Sequence, residues 1–276
     1  MTWDHFDKAF RKHAKLARVE TVDELQEGGR TFALLKASTP GERRLLVTAG
    51  FHGDEVAGPL TLLHHLPELV AYARERNVGL SVYPCINPSG FDIRTRYNVS
   101  GASPNNDFVR YRTQEGSGNQ GADAPWVDSL KPGQTFETWR PFAEGPNETR
   151  LMAKHLAIEP TPQAMLDIHQ DPWLARQACY AYVFGDRQAY RPLLATAHEV
   201  LPVATNEEVD DGLWSDHEGL IELHDGSITD LFWRRGTPFV ATLETSTMAP
   251  LPACHAVNMI WLRGFVNLAG QSTSAT

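Results

Sequence analysis

The sequence predicts an α/β fold with a central, largely parallel sheet covered on both faces by helices, and three observations carry that expectation. Short apolar runs that read as strands alternate along the chain with longer stretches of helical periodicity, the pattern of parallel strands joined by crossover helices. Three of the strand-like runs lead into polar clusters, at His52, His169 and Glu244, as in sheets whose sites lie beyond the carboxyl ends of strands. The 276 residues, 42% of them hydrophobic, suffice for one large core. No repeat or linker interrupts them, so a single domain over residues 1–276 is expected.

Each element has its own reason. From Trp3 to Ala17, the residues Trp3, Phe6, Phe10 and Leu16 stand near helical spacing and predict an amphipathic helix whose wet face carries Asp4, His5, Arg11, Lys12 and His13. Thr31–Lys36 and Arg44–Ala49 are apolar runs separated by the turn-forming Pro40-Gly41, and read as neighbouring strands. Gly58–Val70 reads as a helix and Gly79–Ile86 as a strand. Residues 112–145 are rich in Gly, Pro, Asp and Trp without a clear period, which predicts a loop-rich insertion. Its Trp126, Phe136, Trp139 and Phe142 are expected to pack on their own domain. Beyond it come a helix at Glu148–Ile158, strands at Ala164–His169 and Cys179–Phe184, and a helix at Gln188–Val200. A strand at Pro238–Thr245 and a closing helix at Ala253–Leu268 complete the chain.

Composition narrows the function. The formal net charge of −9 with His neutral argues against a nucleic-acid partner, which requires a basic patch. No apolar run approaches the roughly 20 residues of a membrane span, and the N-terminus Met1-Thr2-Trp3-Asp4-His5 has no apolar signal region. A cytoplasmic protein without membrane partner is therefore expected, in which Asn98-Val99-Ser100 and Asn147-Glu148-Thr149 are chance glycosylation matches. Cys85, Cys179 and Cys254 fit no metal knuckle and no disulfide framework, and read as small buried hydrophobes in a reducing compartment. Oligomeric state is open.

The chemistry-bearing residues come in three pieces. After the apolar Leu45–Ala49, His52 and Glu55 stand three residues apart in a Gly-bracketed turn, a spacing that brings both side chains to one ion. The run Met165–Ile168 delivers His169 at a strand end, with Asp167 two residues earlier on the same face to orient its imidazole. Catalytic zinc takes three protein ligands and leaves a fourth position for water, and two His with one Glu is an established set. Glu244, an acid closing the apolar Phe239–Leu243, must find solvent or a partner, and beside zinc it can take a proton from water. His64-His65 sits within a predicted helix and reads as an exposed pair. His217 and His224 fall in an acidic stretch, Asp210–Asp225, that reads as a loop rimming the site.

Four further motifs complete a recognisable order. They are Asn87-Pro88-Ser89-Gly90, Arg96-Tyr97-Asn98, Gly145-Pro146-Asn147-Glu148-Thr149 and Leu243-Glu244, following His52-Gly53-Asp54-Glu55 and flanking Asp167-Ile168-His169. From about Leu45 to Ser246 the chain thereby resembles the zinc carboxypeptidases, the metallocarboxypeptidase superfamily that includes succinylglutamate desuccinylase and aspartoacylase. The resemblance implies a three-layer α/β/α, phosphorylase/hydrolase-like fold with a mixed, mostly parallel sheet of about eight strands. It implies one zinc ion on His52, Glu55 and His169, and amide hydrolysis by promoted-water attack, with Glu244 as general base and Arg96 stabilising the oxyanion; Arg94 is the rival for that last role.

Departures from the pattern matter for substrate. Where the family has Asp-Leu-Asn-Arg-Asn-Phe the chain reads Ser103-Pro104-Asn105-Asn106-Asp107-Phe108, so the Asn-Arg pair that clamps a terminal carboxylate becomes Asn105-Asn106. Asn hydrogen-bonds a carboxylate without the charge and fork of Arg. The acid that orients the first His becomes Ser103, with Asp107 and Arg110 nearby to compensate. No Tyr stands where the family's mobile substrate-binding Tyr aligns, near Ile221 or Glu222, and Glu222 and His224 are the candidate substrate contacts there. Ile228 and Thr229, near the specificity pocket, imply a small or apolar pocket without strong charge. The expected substrate is a peptide, for a metallocarboxypeptidase-type peptidase. The alternatives are an N-acyl amino acid, for a desuccinylase- or aspartoacylase-like amidase, and a metal-retaining binding protein without catalysis.

Overall fold

In the computed structural model, which describes residues 1–113, 125–131 and 133–271, helix α1 (Trp3–His13) opens the chain. It buries Trp3, Phe6 and Phe10 and sets Arg11, Lys12 and His13 in its last turn, where cations suit the helix dipole. The predicted Leu16 lies beyond the helix end and is exposed, and Ala14 is the buried residue instead. Strands β1 (Arg18–Glu27), β2 (Arg30–Ser38) and β3 (Arg43–Ala49) follow, then helix α2 (Ala57–Arg74), strand β4 (Val78–Tyr83) and the short helix α3 (Pro88–Ile93). The region read as a loop-rich insertion holds a hairpin of β5 (Val109–Thr113) and β6 (Phe136–Pro141); its residues 114–124 and 132 lie outside the described residues. Helix α4 (Asn147–Ala157), strands β7 (Ala164–Asp171) and β8 (Cys179–Phe184) and helix α5 (Arg191–His198) come next. The small strands β9 (Glu208–Asp210), β10 (Leu213–Trp214) and β11 (Leu220–Ile221), helix α6 (Ile228–Arg234), strand β12 (Phe239–Ser246) and helix α7 (Leu251–Gly270) close the chain.

Eight strands form one mixed sheet in the order β1-β2-β4-β3-β7-β12-β8-β11. The pairs β4/β3, β3/β7, β7/β12 and β8/β11 are parallel, and β1/β2, β2/β4 and β12/β8 antiparallel. The edge strand β1 escapes a reading of hydrophobic pattern because only Leu25 and Glu27 in it are buried; a charged edge also discourages pairing with other chains.

Alternation along the central strands builds the layers. Leu45, Val47, Leu166, Ile168, Ala241 and Leu243 face one apolar cluster with α1, α2, α5 and α7. Leu46, Met165 and Val240 face the other, with Met152 and Leu156 of α4 and Ile228 and Phe232 of α6. Each fully buried Leu, Ile or Phe contributes about 1.5–3 kcal/mol of transfer free energy, so burial on the two faces holds the sheet between its helices. Cys85, Cys179 and Cys254 are all free and buried, in keeping with the sequence reading. The aromatics of the hairpin pack on their own surroundings: Phe136 against Tyr111, Phe142 under Arg110, and Trp126 beneath Arg112 and Arg140. Among the described residues no helix is long and apolar enough to cross a membrane.

Candidate metal centre

The α4/α6 face of the sheet changes character as its strands run to their carboxyl ends. Its first row across β3, β7 and β12 is apolar, with Leu46 beside Met165 and Met165 beside Val240. The second row is Thr48, Asp167 and Thr242, and the third sets His169 beside Glu244. The antiparallel β8 extends the rows with Phe184, Tyr182 and Tyr180. Polar side chains two residues apart on a buried face require partners, and they have them. Thr48 Oγ1 donates to Asp167 Oδ1 at 2.7 Å, while Asp167 Oδ2 lies 2.9 Å from His169 Nε2. The imidazole is thereby fixed in rotation, and its Nδ1 faces Glu55.

His52 and Glu55 arrive on the turn after β3. Gly50 opens it with φ +68, a left-handed conformation that a side chain strains, and a Cβ on Gly53 would lie 2.0 Å from the carbonyl carbon of Gly90. The two backbones touch because Asn87 caps α3 through Gly90 N (2.8 Å) and donates to the carbonyl of Phe51 (3.2 Å). The Asn-Pro-Ser-Gly motif thus anchors the turn that carries His52. Asn98, Glu148 and Thr149 of the other motifs are scaffold too: Asn98 donates to the buried Glu148 at 3.1 Å, and Thr149 Oγ1 to the carbonyl of Pro104 at 2.6 Å.

Ligand atoms of His52, Glu55 and His169 all lie within 4.8 Å of one another, and all three residues are buried. Glu55 Oε1 sits 2.7 Å from His52 Nδ1 and accepts from Arg96 at 2.8 Å. Its Oε2 sits 2.9 Å from His169 Nδ1 and accepts from Gln170 N at 3.1 Å. Burial opposes the Glu55 charge, yet the two imidazoles overcome it and hold Glu55 well below the usual carboxylate range. Burial lowers His52. It would lower His169 as well, but Asp167 and Glu55 outweigh it and raise that imidazole well above its ordinary value. The donor set fits zinc: two imidazole nitrogens and a carboxylate, close, enclosed and with one imidazole oriented by a carboxylate behind it.

Glu244 borders the same space. Part of its surface opens to the cavity, while its Oε2 is enclosed with no hydrogen-bond partner. Burial is the main cause that raises its pKa well above the carboxylate range; Glu55 and Asp171 add to the rise, against His169 and Arg96. Of the two candidate arginines, Arg96 reaches the site through Glu55, whereas Arg94 donates to the carbonyl of Met1 at 2.9 Å and lies over Phe91. A cavity of about 220 Å³ joins His52, His169, Arg96 and Glu244 to Asn105 and Asn106.

The other predicted substrate contacts do not join them. Glu222 and His224 line a neighbouring cleft with Leu130 and Lys131. His224 is turned there because Asp230 (3.2 Å) and Arg234 (2.8 Å) bind its Nδ1 and Phe184 stacks on its ring. Asp107 Oδ1 accepts from Arg110 Nη2 at 2.5 Å, so these two side chains pair with each other. Three residues of consequence had not been singled out. Thr48 and Tyr182 share rows with Asp167, which strand alternation could have shown. Gln170 binds Glu55 through its backbone and Ala57 N through its side chain (2.8 Å), a link that no local pattern announces.

No protein-family model matches the chain. A Shewanella baltica OS155 crystal structure assigned as a metallopeptidase superposes with a TM-score of 0.75, 25% identity and coverage of 96% of this chain and 92% of that one. Murein peptide amidase A of Escherichia coli (strain K12) is 29% identical over 123 residues, 45% of this chain and 42% of its own length. Carboxypeptidase SOL1 of Arabidopsis thaliana is 27% identical over 124 residues, 25% of its own length. The match thus spans less than half the length of these curated relatives.

Proposed function

The chain belongs to the zinc carboxypeptidase-like superfamily, and from that premise we propose that it is a zinc-dependent hydrolase of amide bonds, acting as a metallocarboxypeptidase-type peptidase. The observation that carries the reading is the convergence of His52, Glu55 and His169 on one point, with the unpartnered Glu244 Oε2 at the edge of the same cavity. His52, Glu55 and His169 hold the ion, and Asp167 keeps His169 in position. When bound, zinc polarises a carbonyl and lowers the pKa of water to about 7.

The chain's own residues supply the rest. Glu244, at the edge of the same cavity, takes the proton of the attacking water and later passes it to the leaving nitrogen. The Arg96 guanidinium, part-exposed at the cavity, donates to the oxygen that becomes negative as the carbonyl carbon turns tetrahedral. Asn105 and Asn106 contact the substrate on the far side. A second reading, an amidase on small N-acyl amino acids, is favoured by one observation. Asn106, where a carboxylate clamp would stand, spends its amide on Asp225.

Zinc content and turnover across a panel of peptides and N-acyl amino acids test the proposal. His169→Ala should lose zinc; a variant that keeps full occupancy contradicts the ligand assignment. Amidating the substrate's terminal carboxylate should abolish turnover by a carboxypeptidase and spare that by an amidase. Bound zinc with no hydrolysis of any amide would leave a binding protein.

A further inference from the structure

A second group of imidazoles stands where α2 and α7 meet, helices tied to each other by a hydrogen bond of 2.9 Å from Asn258 Nδ2 to Thr61 Oγ1. His64 and His65 of α2 both approach His255 of α7. The ring centroids of His64 and His255 are 5.9 Å apart with the planes at 28°, and those of His65 and His255 are 5.6 Å apart at 90°. The second geometry is close to that of His52 and His169, whose rings stand 5.2 Å apart at 75°. His65 also repeats the His-x-x-Glu spacing of His52 and Glu55. Its Nδ1 lies 3.5 Å from Glu68 Oε2, while Glu68 Oε1 accepts from Arg263, which holds the carboxylate beside the imidazole. His65, Glu68 and His255 line one cavity of about 600 Å³, together with apolar residues such as Leu251 and Met259.

The ligand atoms of His65, Glu68 and His255 do not all lie within 4.8 Å of one another, as those of His52, Glu55 and His169 do. Side-chain rotation closes that difference. The His65 and Glu68 side chains are 36% and 48% exposed, and side chains free to that degree change rotamer in picoseconds to nanoseconds. His255 Nε2 is enclosed with no hydrogen-bond partner, so it loses none by turning to an ion, and the ion removes the cost of leaving it unmatched. Burial first, then the neighbouring imidazoles, lowers His64 and His255, and the neutral ring is the form that binds metal. Imidazoles with one carboxylate suit zinc, copper or nickel, whereas magnesium and calcium take oxygen ligands. We propose that His65, Glu68 and His255 form a second metal site, for a divalent d-block ion such as zinc, which ties α2 to α7. His64, stacked on His255, supports that ring. None of the three ligands is among the described residues lining the cavity at Glu244, so the site does not depend on amide hydrolysis.

Calorimetric titration of zinc into the chelator-treated full chain, in excess magnesium, tests the site by counting equivalents. The wild type should take up two. His255→Ala and the half-exposed His65→Ala should each keep one, and that retained equivalent shows that the variant has folded. His169→Ala should also keep one, and His169→Ala combined with His65→Ala should bind none. A wild type that takes up a single equivalent, lost in His169→Ala, overturns the second site. So does a second equivalent that survives in both His65→Ala and His255→Ala. Zinc uptake that is indifferent to His169→Ala, yet falls by one equivalent in His65→Ala and in His255→Ala, would overturn the ligand assignment at His169 and support the second site.

Discussion

Replacing Glu244 by Gln separates proton transfer from metal binding and from stability in one variant. Glu244 is not among the three converging ligands, so zinc content should match the wild type. Gln keeps the shape and cannot accept a proton, so kcat/KM should fall by about 10²–10⁴, the usual contribution of a positioned general base; that is about 3–5.5 kcal/mol of barrier. Stability should move the other way. In the metal-free protein the Glu244 carboxylate is enclosed with Oε2 unpartnered, and burial raises its pKa. A carboxyl whose folded pKa is raised binds more protons in the native state than in the unfolded one, so it weakens stability progressively as pH climbs above the unfolded value of about 4.3. Glu244→Gln should therefore unfold later than wild type at pH 7 in chelator, by about 1–3 kcal/mol, the cost of an unsatisfied buried polar group. The margin should shrink to nothing near pH 4. Metal analysis, steady-state kinetics and urea melts at both pH values read the three outcomes. Zinc lost from the variant, activity within tenfold of wild type, or a lower midpoint at pH 7 would refute the reasoning.

Three further changes probe the frame around that acid. Asp167→Asn removes the charge behind His169 Nε2, and zinc affinity measured by chelator competition should weaken about 10–100-fold, as for other partners of metal-bound imidazoles. Gly53→Ala drives a methyl into the Gly90 backbone, and thermal melts should show a loss of about 3 kcal/mol together with lower zinc content. The Asp23 carboxylate, held down to about 2 by the hydrogen bond from Lys154, contributes stability that is present above pH 4 and lost as pH falls toward 2. Because that pair is largely solvated, Asp23→Asn should cost no more than about 1 kcal/mol at pH 7, and denaturant melts should converge with wild type near pH 2.

What the sequence determined by itself was the layered α/β frame and the polar clusters at its strand ends. Those signals are local: alternation along Met165–His169, an acid closing Phe239–Leu243, a Gly-bracketed turn after Leu45–Ala49. Burial dictates each without reference to distant parts of the chain. The strands with little apolar content were not legible, because β1 lies at an edge with two buried residues, and β5 and β6 form a separate two-stranded sheet. Tertiary structure alone decided which rim residues share a cavity. Glu222, His224 and Asp225 are consecutive or nearly so, yet Asp230 and Arg234 draw His224 into one cleft while Asp225 faces the other. The directions of Arg94 and Arg96 were decided the same way: Arg94, in a left-handed turn, lies over Phe91, whereas Arg96 reaches Glu55. Loop side chains take their direction from long-range hydrogen bonds and packing, and no periodicity in the chain encodes those.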